Sequence, residues 1–343
     1  MGAEADPIQG RGPHRLRWLM IDLEERQQSK GSCRMVSYLM SYDEKPIISI
    51  IIPTCGRVDT LRGCLDRLDQ QLKAGGFTCE VLVCDDSAFD DVRNLLSDCF
   101  PHAQWHRVPG RGASASRNFG AGKANGTWII FLDDDVLPEE GFLNAYSEAF
   151  RSASEADVAF EGATHWDRPP PSLLWEAPHN ANCDGHPSCN WGFRKTAFLK
   201  IGAFDERYLR SQDIEFAARA EAMGYRFNPL KEAVVTHPLR RIPSSRKLAA
   251  RWEYRVLYSL ELGMKPTEAR FRVAWHVFRV IQSRFRNQRI CRDNFFAVAK
   301  FGMEWLYVLW LTPGWVKKWR PYRKDSFWKR KVEAGYRIPK WGL

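Results

Sequence analysis

Residues 127–142 read TWIIFLDDDVLPEEGF, and this stretch decides the fold. Five apolar residues, 128–132, are followed at once by three adjacent aspartates, Asp133, Asp134 and Asp135. A short apolar run is typical of a strand that is covered on both faces, as in parallel sheets flanked by helices. Three neighbouring carboxylates repel one another at neutral pH, so we expect a positive charge beside them.

The three aspartates predict a ligand site at the carboxyl end of this strand. In open α/β sheets, ligands bind at that edge. Hard divalent cations such as Mg2+ prefer carboxylate oxygens and usually share their coordination with substrate phosphates. The residues therefore favour a site for a metal ion and a diphosphate, and the alternative is a solvated acidic turn.

The segment before the aspartates alternates between strand and helix patterns. An apolar, β-branched run at 47–52 predicts the first strand, and leucines at helical spacing across 58–72 predict a helix. A second strand at 79–87 ends in two aspartates, and a weak strand at 103–109 precedes a glycine-flanked helix at 110–126. This alternation predicts a Rossmann-like α/β fold with a mostly parallel sheet and acidic groups at one edge.

The glycine-rich segment 110–126 matches neither of two common phosphate-binding loops. A Walker A loop needs a glycine where Arg117 stands and a serine or threonine where Ala124 stands. A dinucleotide fingerprint needs G-x-G-x-x-G directly after the first strand, whereas these glycines come later and at other spacings. The pattern therefore argues against P-loop and Rossmann-type dehydrogenase chemistry.

The composition is that of a globular protein in a reducing compartment. A chain of 343 residues with 44% hydrophobic content can bury a large core in one or two domains. Nine scattered cysteines without a C-x-x-C pair argue against a disulfide framework. Residues 1–45 show no clear periodicity, and the acidic stretch at 22–31 stands where a signal peptide needs an apolar run. We therefore expect a lead-in segment and no export.

The net charge of +10 conceals two unlike parts of the chain. Residues 238–343 carry 25 lysines and arginines against 7 acids, which leaves the preceding part with a net charge of −8. Eight of the 14 tryptophans also lie in this basic tail. Tryptophan mixed with lysine and arginine is typical of membrane interfaces, and nucleic acid is the rival partner.

The basic tail is predicted to form amphipathic helices. Apolar residues recur at helical spacing across 248–260 and again across 271–285, where arginines lie opposite them. The segment 294–316 approaches the length of a membrane span, but Lys300 and Glu304 inside it each cost roughly 2.5–3.5 kcal/mol at a bilayer centre. We expect a helix in the membrane interface or packed on the core, with the basic end that follows facing anionic lipid headgroups.

Seven short motifs occur in one order along residues 46–237. They read SIIIPTCGR, EVLVCDDS, GASASRNFG, WIIFLDDD, GFRKTAFLKIGAFDE, SQDIEFAARAEAMGY and VVTH. This set resembles the family 2 inverting glycosyltransferases of the GT-A fold. The resemblance implies a catalytic domain over 46–240, between a lead-in of 1–45 and a basic helical extension over 241–343. It also implies transfer of a sugar from a nucleotide sugar, with a UDP-sugar favoured, to a lipid-linked or surface-glycan acceptor.

The resemblance implies that strand ends and the ARN motif hold the nucleotide sugar. The residues carried over are Thr54, Arg57, Asp85, Asp86, Arg117 and Asp133. Asp86 is expected at the base, Asp133 at the ribose and Arg117 at the diphosphate or nucleotide. The alternatives are a turn cap for Asp85 and an ordinary surface ion pair for Arg117.

The two outer aspartates, Asp133 and Asp135, match the acids of the family's D-x-D motif. The resemblance implies that Asp135 and His237 ligate Mn2+ or Mg2+ at the diphosphate, and an imidazole ligand favours Mn2+. Asp134 is expected to point away from the ion. A structural histidine is the alternative for His237.

Asp213 is the predicted catalytic base, because an inverting transferase must remove the proton of the acceptor hydroxyl. The family motif is usually Glu-Asp, and this chain has Gln212 before Asp213. With one negative charge fewer nearby, Asp213 is expected to ionise more easily than in relatives. Glu215 and Arg219 are interpreted as structural supports, and the departure at Gln212 puts the identity of the acceptor in doubt.

Two further features precede this motif. Asn190 and Trp191 are candidates either for the floor of the acceptor site or for the core. The preceding loop holds four possible zinc ligands whose spacing matches no standard finger, His179, Cys183, His186 and Cys189. A polar acceptor loop is the other interpretation of that segment.

A competing interpretation is a catalytically weakened protein of this fold that acts as a basic membrane- or nucleic-acid-binding module. Gln212 is its main support. We expect instead an active enzyme without a nucleic-acid partner, in the cytoplasm and peripheral at the inner face of a membrane.

Overall fold

The computed structural model describes residues 48–108, 110, 112–286, 292–323 and 326–335. The lead-in predicted for residues 1–45 lies outside this part of the chain. The described residues all belong to one compact unit.

The strands form one large mixed sheet and one short ribbon. In chain order they are β1 (Ile48–Thr54), β2 (Cys79–Asp85), β3 (Ala103–Arg107), β4 (Trp128–Leu132), β5 (Leu137–Pro138), β6 (Ala159–Trp166), β7 (Trp175–Glu176), β8 (Asn190–Arg194), β9 (Phe227–His237) and β10 (Arg240–Arg241). The large sheet has the order β3-β2-β1-β4-β8-β6-β9-β5, and β7 pairs with β10 in the ribbon. The first four strands of the large sheet pair in parallel, and β8 and β5 run antiparallel to their neighbours. The predicted mostly parallel α/β sheet is confirmed.

The helices cover both faces of this sheet and continue beyond it. They are α1 (Val58–Ala74), α2 (Asp91–Cys99), α3 (Ala113–Lys123), α4 (Phe142–Ser152), α5 (Lys195–Ile201), α6 (Gln212–Ala222), α7 (Ser245–Ala250), α8 (Glu253–Glu261), α9 (Pro266–Phe285), α10 (Arg292–Trp319) and α11 (Phe327–Glu333). A 3-10 turn, Arg320–Arg323, follows α10.

Alternate residues of β4 face two different helix layers, because successive side chains of a strand point to opposite faces. Ile130 and Leu132 pack in a core with α1, α2 and α4, whereas Ile129 and Phe131 pack with α3, α5 and α6. All of β4 is buried. The expectation of a strand covered on both faces is confirmed, and the aspartates follow at its carboxyl end.

A glycine in α3 lets this helix approach the sheet. A Cβ atom at Gly120 would lie 2.5 Å from Cγ2 of Ile51 and 3.0 Å from Sγ of Cys84. Those distances are shorter than van der Waals contacts, so a larger residue would push the helix away. The close packing holds Arg117, one turn earlier in α3, beside the end of β4.

The helices after residue 244 pack on the sheet-bearing part of the chain. α8, α9, α10 and α11 share an apolar core that also contains Tyr208 and Ala218, from the segment around α6. α7 joins α10 through a smaller core that includes Leu248 and Phe301. The extension is therefore part of the folded unit, and its inner surface supports the helix that carries Asp213.

The apolar faces predicted for the extension correspond only in part to its buried surfaces. The face predicted across 248–260 is divided between α7 and α8. In α9 the buried residues include Ala269 and Val277, while Phe271 and Trp275 are 78% and 61% exposed. Small side chains let α9 approach α8 and α10, and the large aromatic residues are left outside.

Candidate active site

Asp134 is a buried anchor below the site. Thr54 Oγ1 donates a hydrogen bond to its Oδ2 (2.6 Å), and Arg57 Nε donates to the same oxygen (3.0 Å). Another nitrogen of Arg57 forms an ion pair with Oδ1. Burial raises the pKa of Asp134 to about 7, although Arg57 and Thr54 favour its charged form. Asp134 points into the interior, which agrees with the expectation that it points away from a bound ion.

Asp133 turns to the other face of the sheet, where it pairs with Arg117 of α3. The Arg117 side chain is only 3% exposed, and its Nε and Nη1 have no hydrogen-bond partner among the described residues. A buried guanidinium with unsatisfied N–H groups costs free energy unless a ligand satisfies them. Arg117 thus offers two donors to an anionic ligand beside Asp133.

Asp135 is contacted by three basic side chains. Arg57 Nη1 donates to its Oδ2 (2.9 Å), and Arg240 Nη1 lies 3.5 Å from the same oxygen. His237 Nε2 lies 3.5 Å from Oδ1. The Nδ1 of His237 lies 3.1 Å from the carbonyl oxygen of Pro238, so the tautomer that donates from Nδ1 directs the Nε2 lone pair toward Asp135.

Asp135 and His237 fit a divalent cation that is shared with a substrate. Mg2+ is usually held by one or two carboxylates plus phosphate oxygens and waters, and an imidazole ligand suits Mn2+. Within the described part of the chain, no group of three or more His, Cys, Asp or Glu side chains forms a complete metal site. The pair therefore suits an ion whose coordination is completed by a diphosphate.

Asp213 lies in the first turn of α6, where the charge of Arg117 acts on it. The turn starts from Ser211, which has a left-handed backbone conformation with φ of 57°. Burial raises the pKa of Asp213, and Asp133 adds to this effect, while Arg117 and a backbone N–H bond from Ile214 oppose it. A carboxylate with a raised pKa is a stronger proton acceptor than an ordinary aspartate.

Two contiguous clefts open over these groups. The smaller, of about 300 Å3, is lined by most of the predicted site residues, namely Arg57, Arg117, Asp133, Asp135, Asp213 and His237. The wider, of about 1230 Å3, is lined by Asp86 among others. Leu209, Arg210 and Arg240 line both clefts, so a ligand can extend from one into the other.

Two predicted nucleotide-binding residues, Thr54 and Asp85, line neither cleft. Thr54 is buried under Asp134. Asp85 is fully buried and accepts bonds from the N–H (3.0 Å) and Oγ (2.9 Å) of Ser87, which is the turn-capping role named as its alternative. Asp86 accepts a bond from the Gly112 N–H (3.0 Å) and remains at the wall of the wider cleft.

Asn190 and Trp191 belong to the core rather than to an acceptor floor. Both are fully buried, and the Asn190 side chain bonds Tyr146 and two carbonyl oxygens. Glu215 and Arg219 form a buried ion pair (2.9 Å), as expected of structural supports.

The four possible zinc ligands before β8 do not converge. His179 stacks on Trp166 with ring centroids 4.2 Å apart, and His186 Nδ1 lies 2.7 Å from Glu161 Oε2. Cys189 is buried against Thr164 (3.7 Å). The described residues therefore offer no zinc site there.

Two arginines of the smaller cleft, Arg210 and Arg240, were missed in the sequence analysis. Arg240 follows the predicted ligand His237 by three residues in the run HPLRR, and that proximity was the available clue. Arg210 immediately precedes the motif of Asp213, but nothing in its own pattern distinguished it from a surface arginine.

The sheet, with acidic groups at the carboxyl end of its central strand, agrees with the GT-A fold that the sequence resemblance implies. Residues 49–167 match the family model described as Glycosyl transferase family 2. The match begins in β1 and includes the three aspartates.

Curated relatives match this chain over part of their own length. An uncharacterized glycosyltransferase of Haemophilus influenzae is 29% identical over 182 residues, which are 50% of this chain and 60% of the relative. A pre-mycofactocin glycosyltransferase of Mycobacterium tuberculosis is 26% identical over 212 residues, 56% of this chain and 43% of the relative. The chain therefore spans about half the length of these relatives.

Two solved structures are similar at low sequence identity. The mannosyltransferase PcManGT from Pyrobaculum calidifontis, in complex with GDP-Man and Mn2+, is 15% identical, covers 82% of this chain and 89% of its own, and has a TM-score of 0.48. TarS 1–349 from S. aureus, in complex with UDP-GlcNAc, is 14% identical, covers 84% and 93%, and has the same TM-score of 0.48.

Replacing Thr54 by Val is expected to lower the free energy of unfolding by about 1–3 kcal/mol, because buried Asp134 loses a hydrogen-bond donor. The control is Thr60→Val, an exposed site whose hydroxyl bonds only a carbonyl one turn away, with an expected change within about 0.5 kcal/mol. Urea unfolding measures both. If Thr54→Val is as stable as wild type but no longer binds nucleotide, Thr54 contacts the nucleotide and is not a buried support.

Proposed function

We propose that this protein is a metal-dependent, inverting glycosyltransferase that moves a sugar from a nucleotide sugar to a hydroxyl group of an acceptor. The proposal rests on the convergence of Arg117, the Asp135–His237 pair and Asp213 on one cleft. These supply donors for a diphosphate, ligands for a divalent cation and a base. The match of residues 49–167 to the family 2 model supports the same reaction class.

Arg117 is assigned to the diphosphate of the donor. Its two unpartnered N–H groups are fixed by burial, and a planar guanidinium suits phosphate oxygens. Asp133, held by Arg117, is assigned to the ribose, and Asp86, at the wall of the adjoining cleft, to the base. We favour a UDP-sugar as donor and a lipid-linked or surface-glycan hydroxyl as acceptor, in a role such as polysaccharide biosynthesis.

Asp213 takes the proton of the acceptor hydroxyl. As the hydroxyl oxygen bonds to the anomeric carbon, the bond between that carbon and the diphosphate oxygen breaks, and the configuration inverts. A nucleoside diphosphate leaves. A Mn2+ or Mg2+ ion, when held by Asp135 and His237, stabilises the negative charge on this leaving group.

A catalytically weakened protein is the second candidate, since Gln212 lines the cleft where the family usually has an acid. Asp213 itself is retained next to Arg117 and lines the same cleft. We therefore favour the active enzyme.

The outer face of α10 supports peripheral binding to a membrane. Among the described residues, Arg292–Arg323 is the helical segment long and apolar enough to cross a membrane by length and composition, and 28% of its apolar window is buried. Lys300 and Glu304 do not face outward. Glu304 is 1% exposed and accepts a bond from Trp252 (2.7 Å), while Lys300 Nζ donates to a carbonyl oxygen (3.3 Å).

The exposed residues of α10 between 295 and 314 are uncharged. Large apolar side chains among them are Phe295, Phe296, Val298, Met303, Leu306, Leu309 and Trp310. Trp275 and Phe278 of α9 continue this surface, because Phe278 contacts Trp305 of α10 with centroids 5.9 Å apart. Arg272 and Arg279, also exposed on α9, suit anionic headgroups. We assign this face to the cytoplasmic surface of a membrane.

Replacing Asp213 by Asn is expected to lower kcat for transfer or donor hydrolysis by about 100-fold or more and to leave the donor Kd within about twofold, because the base is lost and the binding groups remain. Glu221→Gln, at the far end of the same helix, is the control and should keep wild-type turnover. The pH profile of kcat/KM for wild type should fall on the acid side at a pH above the ordinary aspartate range. If Asp213→Asn turns over the donor at the wild-type rate, Asp213 is not the catalytic base.

Replacing Trp275 and Trp310 by Gln is expected to weaken binding to phosphatidylcholine/phosphatidylglycerol vesicles by about tenfold or more, because two exposed rings no longer insert. Phe89→Gln is the matched control, since Phe89 is 70% exposed outside this face. Vesicle flotation at two salt concentrations measures the effect. Equal flotation of the double variant and wild type would refute membrane docking by this face.

A further inference from the structure

The wider cleft is unusually rich in cationic side chains. Its basic lining residues are Arg207, Arg210, Arg240, Arg241, Lys247 and Arg251. The acidic residues of the same wall are Asp86, Glu206 and Glu253. A concave surface with an excess of one charge attracts ligands of the opposite charge.

Two of these cations are neutralised by the fold. Arg207 contacts Glu261 (2.6 Å) and the neighbouring Asp205. Arg251 forms two parallel bonds with Glu176, of 2.9 and 2.6 Å. Both guanidinium groups therefore act mainly as structural links between the catalytic part and the extension.

Three other cations have no such neutralisation. Arg210, Arg241 and Lys247 have no carboxylate within 4.0 Å among the described residues, and Arg241 instead lies over the ring of Trp175 (5.4 Å). Burial lowers the pKa of Arg210, and the charges of Arg251 and Arg240 lower it further. An anion bound among these side chains would relieve that repulsion.

The position of two of these cations separates them from the groups assigned to the donor diphosphate and the metal ion. Arg241 and Lys247 line only the wider cleft, whereas Arg117, Asp135 and His237 line only the smaller one. Arg210 lines both. A donor diphosphate at Arg117 would thus leave Arg241 and Lys247 available to a second anionic group.

We propose that the acceptor carries a phosphate group, which binds in the wider cleft against Arg210, Arg241 and Lys247. This inference rests on the proposed transferase function and names its acceptor class. Three cations on one cleft complement the negative charge of a phosphate, and the volume of about 1230 Å3 admits a bulky molecule. Arg210 lines both clefts, so it connects this phosphate site with the cleft that holds Asp213.

The wall that carries Lys247 also stands next to the apolar outer helix. Ser245 Oγ donates to the carbonyl oxygen of Lys300 (2.9 Å), which fixes α7 on α10. An acceptor with both a phosphate and an apolar tail can therefore place its phosphate in the cleft close to the membrane-facing helix. Octyl phosphate is a simple probe of this chemistry, and octyl glucoside is its neutral counterpart.

The protein is first saturated with Mn2+ and with whichever of UDP, GDP and CDP binds most tightly. Binding of octyl phosphate, below its micelle concentration, is then measured by calorimetry. Wild type should bind octyl phosphate at least tenfold more tightly than octyl glucoside. The double variant Arg241→Gln/Lys247→Gln should lose at least tenfold in octyl phosphate affinity and keep its nucleotide Kd within twofold. The control double variant Arg246→Gln/Lys200→Gln, exposed on α7 and α5, should match wild type.

Two results would overturn the inference. If wild type and the Arg241/Lys247 variant bind octyl phosphate with equal affinity, these cations do not form a phosphate subsite. If the nucleotide Kd of that variant is weakened tenfold, the cations bind the donor instead. If none of the nucleotides binds, the proposed transferase function fails, and the octyl phosphate comparison without nucleotide still decides the anion subsite.

Discussion

The arrangement of this site depends on how three adjacent carboxylates are kept at the end of a buried strand. Each aspartate after β4 has a basic partner: Arg117 of α3 for Asp133, Arg57 of the β1–α1 loop for Asp134, and both Arg57 and His237, at the end of β9, for Asp135. These basic partners offset the repulsion between the carboxylates, and their ion pairs link the elements that carry them. These contacts define the geometry of the smaller cleft.

The ion pairs of Asp135 can be exchanged for contacts with ligands. Asp135 is shared by Arg57, Arg240 and His237, so a divalent cation at Asp135 would replace ion pairs with two half-exposed arginines. Those arginines would then be free to meet the charge of a diphosphate, since both line the cleft. Metal and nucleotide are therefore expected to bind more tightly together than separately, as linkage between neighbouring charged sites requires.

Much of the fold was predictable from local patterns, and the errors arose where long-range contacts decide. The apolar run of β4 and the aspartates after it gave the strand, the sheet edge and the cleft. The bond between Thr54 and Asp134 joins residues 80 positions apart, so the sequence could not distinguish a buried anchor from a nucleotide contact at Thr54. In α9, small and aromatic residues lie on different faces, and only packing against α8 and α10 decides which face is buried.

The most direct test of this account is a calorimetric titration of UDP, with GDP and CDP as alternatives, into wild type and Asp135→Asn, each with Mn2+ and with EDTA. We predict at least tenfold tighter nucleotide binding with Mn2+ in wild type and no such gain in Asp135→Asn, because the shared ion has lost its carboxylate ligand. Nucleotide binding that is the same with and without metal in wild type, or no nucleotide binding at all, would contradict the assignment of Asp135 and His237 to a metal–nucleotide site.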